Sequence, residues 1–144
     1  MAFRKTVFTA VGLFDERLDV GAAGCSGDSE YWYRVLAAGW RCRYEPSAVV
    51  FHHHRRTFDA LAQQILAYMR GHVAALLVQF EHSGHWGNLR RALIMLPATY
   101  ALRWAGRLVR RRRDTDGLLA QEIRGWLAGV IFYLRAKRPA EGTR

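Results

Sequence analysis

Two side chains near the front of the chain have types and settings that suit chemistry. Asp28 follows a loop of small residues, Gly21-Ala22-Ala23-Gly24-Cys25-Ser26-Gly27, and opens a predicted helix. A carboxylate at a helix N-terminus keeps its charge readily and can accept a proton from a substrate hydroxyl. The same position equally suits a plain helix cap. His52 ends the apolar run Ala48-Val49-Val50-Phe51. A histidine at a strand end is held rigidly and suits a metal ion. His52, His53 and His54 cannot all point one way, because strand side chains alternate. At most His52 and His54 share a face, and a solvated cluster with Arg55 and Arg56 is the alternative. Those two arginines suit phosphate as well as water.

The elements that must position these groups follow from residue spacing. Phe3 to Val11 predicts a short helix stopped by Gly12. Ser26, Asp28 and Ser29 are capping types, and Tyr31, Val35 and Ala38 recur at helical spacing before Gly39. Trp40 to Tyr44 alternates aromatic, Arg, Cys, Arg, aromatic, and Ala48 to Phe51 is β-branched and apolar, so both predict strands around a Glu45-Pro46-Ser47 turn. From Phe58 onward a helical period prevails: one segment to Phe80, a break at Gly84 to Asn88, a second segment over 89–112 kinked at Pro97, and a third from Leu119 to Leu134.

The ordered series Met1-Ala2-Phe3-Arg4-Lys5, Val11-Gly12-Leu13-Phe14-Asp15-Glu16, Gly27-Asp28-Ser29-Glu30-Tyr31-Trp32-Tyr33-Arg34, Ala38-Gly39-Trp40, Tyr44-Glu45-Pro46 and Val49-Val50-Phe51-His52 resembles the C-terminal half of the catalytic domain of family 2 glycosyltransferases. The resemblance implies an α/β protein: a partial GT-A (nucleotide-diphospho-sugar transferase) fold over 1–57, an all-α amphipathic region over 58–138, and a disordered tail at 139–144. It implies transfer of a sugar from a nucleotide-sugar donor to a hydroxyl acceptor with inversion, as in cell-envelope glycan synthesis. Asp28 falls on the general base of the family's Glu-Asp motif, with Gly27 standing where many relatives have Glu. Glu30, Trp32, Arg34 and Trp40 fall on the acceptor side, core packing being the other role open to the two indoles. His52 falls on a ligand of a divalent metal, Mg or Mn, beside the donor diphosphate, and Arg55 and Arg56 are assigned to that diphosphate. The family's nucleotide-binding half and its metal-binding Asp-x-Asp are not found; Asp114-Thr115-Asp116 reads as a loop between helices. The expectation is a fragment or subunit, incomplete alone, with a partner half supplying the remaining metal ligands.

Composition narrows the partners. The 144 residues carry 22 Lys+Arg against 12 Asp+Glu, a net charge of +10. Residues 1–57 hold eight basic and six acidic residues, and residues 58–144 hold fourteen and six. Such an excess points to a polyanion. Trp104, Trp126, Tyr100 and Tyr133 are amphipathic aromatics of the kind found at bilayer interfaces, so an anionic membrane surface is the expected partner of 89–138. A soluble bundle with a solvated basic face is the alternative, and nucleic acid, prompted by Arg110 to Arg113, ranks last because no nucleic-acid module is recognised. Two cysteines, Cys25 and Cys42, make no disulfide scaffold and no zinc spacing. The expected location is cytoplasmic, peripheral to the inner face of the plasma membrane. A non-catalytic membrane- or protein-binding module that keeps a degenerate transferase half is the competing function.

Overall fold

The computed structural model describes residues 2–19, 21–51, 57–109 and 118–136. Its elements are α1 (Lys5–Val11), a 3₁₀ turn (Glu16–Leu18), α2 (Gly27–Ala37), α3 (Phe58–Ser83), α4 (Trp86–Arg90), a π-helical turn (Arg91–Met95), α5 (Leu96–Val109) and α6 (Leu118–Arg135). Among the described residues there is no β-strand. The expected α/β, partial GT-A fold is therefore corrected to an all-helical one. Residues 40–51 run without regular structure, held by local bonds such as Ala48 N–H to Glu45 O at 3.2 Å. The alternation at 40–44 and the β-branched run at 48–51 are present, but a strand exists only with a neighbour to share its ladder. None of the described residues supplies one, and Val50 and Phe51 are left 89% and 93% exposed.

The helices form where the apolar period and the end signals agree. Thr57 caps α3 by accepting from Ala60 N–H at 3.3 Å, and Gly84, at φ +65°, closes it. The C-terminal half of α3 is buried along Val73, Ala74, Leu76, Leu77 and Val78. It packs on α6, and the two helices meet very closely. A Cβ at Gly125 would lie 2.5 Å from Leu66 O, and one at Gly129 would lie 2.6 Å from Arg70 O. These glycines, four apart on one face of α6, let backbone meet backbone as small residues do at tight helix crossings. Around the contact, Trp126, Val130 and Tyr133 of α6 cover Val73, Leu76 and Leu77. Each large apolar side chain so covered contributes about 1.5–3 kcal/mol.

Pro97 follows closely on the π turn in its segment. Leu96 N–H bonds Arg91 O, five residues back, and Pro97 has no N–H to give. Ala92 O is thereby left for another donor. Trp126 supplies it, its Nε1–H donating to Ala92 O at 2.7 Å. On the α6-facing side of α5, Tyr100 is buried and Arg103 pairs with Glu122. Burial, with the Glu122 charge beside it, pushes the Tyr100 phenol up to about 12.

A second region joins α1, α2 and the end of α3. Tyr31 is completely buried, stacked on Phe14 at 4.2 Å and met edge-on by Phe3 at 4.9 Å. Glu30, beside it, is also fully buried. Arg34 Nε and Nη2 donate to its two oxygens at 2.7 and 2.9 Å, and the same guanidinium donates to Val11 O at 2.7 Å and Leu13 O at 2.8 Å. The His82 ring, at the end of α3, lies 3.3 Å from Glu30 Oε1 and 3.8 Å from Asp15 Oδ2. Asp15 is in turn clasped by Arg17 at 2.6 Å, and Arg17 reaches Glu81 at 3.1 Å. Burial pushes the Asp15 carboxyl up, but the hydrogen bonds and charge of Arg17 outweigh it and hold the group below 3.8.

Two outcomes follow. Trp126→Phe strands Ala92 O and should destabilise the chain by about 1–3 kcal/mol, read from urea denaturation, without altering its helix content. Because Asp15 titrates below its unfolded value, its share of stability is complete above that value and is lost as pH falls through the folded one. Thermal melting should therefore fall as pH drops below the ordinary aspartate range, and Asp15→Asn should lower the midpoint at pH 7 while flattening the acid limb.

Candidate functional site

Asp28 occupies the second position of α2, not the cap position, which Ser26 fills with φ +81° and no side-chain bond. The Asp28 side chain is exposed. Its Oδ1 accepts from Ser29 N–H at 2.7 Å and lies 3.4 Å from Ser29 Oγ. The carboxylate thus satisfies one of the free amides that every helix start leaves, and it remains open to solvent.

Trp32 stands four residues on, hence on the same face of α2 one turn later. It lines an open groove of about 500 Å³ together with Trp40, Arg4, Arg41, Cys42 and Arg43. Both indoles are half-buried: they have a packing side, Trp40 against Val7, Tyr31 and Val35, and a side left to the groove. Three arginines and no acid stand in that lining. Flat indole faces suit the C–H surfaces of a sugar ring, and guanidinium groups suit phosphate or carboxylate. The groove therefore presents aromatic faces and positive charge side by side. Arg41 and Arg43 are hidden in the sequence because the alternation from Trp40 to Tyr44 reads as a strand, and Arg4 because it falls in the predicted first helix. The signal available was basic residues interleaved with aromatics.

The other acceptor-side residues go elsewhere. Glu30 has no exposed surface, and its carboxylate is engaged by Arg34 and His82. Arg34 lines a separate cavity of about 400 Å³ with Val11, Leu13, Phe14, Asp15 and His82. The structure so brings Trp32 and Trp40 together, sets Asp28 one turn away, and places Glu30 and Arg34 in the ion-pair cluster that fixes α2. His52, Arg55 and Arg56 lie outside the described residues, as do the Arg110 to Arg113 block, Asp114-Thr115-Asp116 and the 139–144 tail. Among the described residues no three His, Cys, Asp or Glu side chains converge to hold a metal ion. Both cysteines are free thiols; Cys25 packs under α3, with Sγ 3.4 Å from Ala67 O, and Cys42 is exposed. No described helix is long and apolar enough to cross a membrane.

No family model, no curated protein and no solved structure matches the chain. Together with the all-helical architecture, this overturns the assignment to family 2 glycosyltransferases: the quoted motifs are present as residues, but the α/β fold they imply is not the one the chain adopts.

Proposed function

We propose that the chain takes part in sugar transfer as its acceptor-side component. A glycan or lipid-linked acceptor rests in the Trp32–Trp40 groove, and Asp28 takes the proton of its attacking hydroxyl. The observation that carries this is an exposed carboxylate one helical turn from an indole that lines an aromatic, acid-free groove. In an inverting transfer the acceptor oxygen forms its bond to the anomeric carbon as the bond to the donor diphosphate breaks. The electron pair leaves with the diphosphate, and the hydroxyl proton passes to Asp28. Arg41 and Arg43 hold an anionic group of the acceptor, which fixes which hydroxyl faces Asp28.

The competing reading is a non-catalytic binding module. The exposed apolar side of α5 favours it, since that surface has no part in the transfer chemistry.

Nucleoside diphosphate release from UDP-, GDP- and dTDP-sugars, measured with the full chain and a phosphorylated glycan acceptor, tests the proposal. Asp28→Asn should cut turnover by about 10²–10⁴-fold and leave acceptor affinity intact. Arg41→Gln with Arg43→Gln should instead raise the KM for the acceptor. Unchanged turnover in Asp28→Asn removes that residue from the mechanism. Acceptor binding without any transfer, across all donors, favours the binding module.

A further inference from the structure

The helix α5 is assembled inside out. Leu96, Tyr100, Arg103 and Arg107 fall on one face by their spacing of four, three and four. That face turns to α6: Leu96 packs in the core cluster, Tyr100 is buried, and Arg103 pairs with Glu122. The opposite face carries Ala98, Ala101 and Ala105, flanked by Leu102 and Trp104, and all five are exposed. Leu102 is 74% exposed and Trp104 59%. Just before them, Leu93, Ile94 and Met95 of the π turn are exposed as well. Of the four aromatics that suit a bilayer interface by type, Trp126 is spent on Ala92 O, Tyr100 is buried, Tyr133 packs on the α3 core, and Trp104 points outward.

Charge decides what can cover this face. From His82 to Arg113 there is no Asp or Glu in 32 residues, and there are eight arginines. Arg90 and Arg91 stand at one end of the apolar stripe, and Arg110 to Arg113 follow the other end in sequence. Nucleic acid would meet the arginines but leave the Leu102–Trp104 stripe wet. An anionic lipid monolayer satisfies both features: acyl chains take the stripe and headgroup phosphates take the flanking guanidiniums.

We propose that the π turn and α5 form a membrane-docking arm that lies in the plane of an anionic bilayer, with Ile94, Leu102 and Trp104 inserted and Arg90 and Arg91 on headgroups. The arm rests in the interface and does not span it.

The test is co-sedimentation of the full chain with vesicles of phosphatidylcholine mixed with phosphatidylglycerol, against phosphatidylcholine alone. Binding is expected to the mixed vesicles only and should weaken steadily as sodium chloride is raised. Leu102→Asp with Trp104→Ser should lower the partition coefficient at least about tenfold, while Leu36→Asp, an exposed change on α2, should leave it unaltered. These positions are solvent-exposed, so circular dichroism of the variants should match the parent. Equal binding by the double variant, or absence of binding to the mixed vesicles, overturns the proposal. A concentration-dependent dimer that Leu102→Asp disperses without any lipid also overturns it, in favour of self-association.

Discussion

A carboxylate taken fully out of water must be matched where it lies, and Glu30 is such a group. Removing the partner of a buried charge costs about 3–5 kcal/mol, far more than a well-formed pair contributes. Arg34 meets that demand from the next turn of α2, and its remaining donors then bind the carbonyls of Val11 and Leu13. The end of α1 is thereby fixed to α2. His82 brings the end of α3 to the same carboxylate, and Asp15 and Arg17 extend the network to Glu81. One buried charge so dictates where three helices meet. The pitch of α2, and with it the directions of Asp28 and Trp32, is a consequence.

The groove and the ion-pair cluster divide the work of α2 between them. One face of the helix is closed by Glu30, Tyr31 and Arg34, which hold it; Asp28 and Trp32 stand on a face that stays accessible. A binding surface is more exact when its helix is fixed by packing than when it hangs on a loop. The aromatic stack of Phe3, Phe14 and Tyr31 serves the same end, because Phe3 both packs on Tyr31 and lines the groove.

Much of the helical framework was legible in the sequence because its signals are local. The apolar period of α3 and α6, the stops at Gly39 and Gly84, and the disturbance at Pro97 each need only a few neighbouring residues. The strand expectation failed for the complementary reason. Alternation between Trp40 and Tyr44 specifies two faces but not a partner to lie beside, and none is formed among the described residues. Asp28 at a helix start was legible, as was the spacing of Glu30 and Arg34. Their burial was not, because it comes from His82 and Asp15, which are remote in sequence. The groove arginines were hidden behind the same misplaced strand. By type the tail aromatics form one interface set, and only the fold separates Trp104 from the three that turn inward.

The π turn sets the rotational phase of everything that follows it. It holds one more residue per turn than an α-helix, which withholds about 100° of rotation from α5. Wound as ordinary helix, residues 91–95 would carry Leu102 round toward α6 and swing Arg103 and Arg107 into solvent. The resulting helix would be unremarkable, greasy inside and charged outside. The polarity of α5 therefore does not reside in its composition. It is a matter of timing along the screw, kept by a proline that lacks a hydrogen and by an indole that answers the orphaned carbonyl.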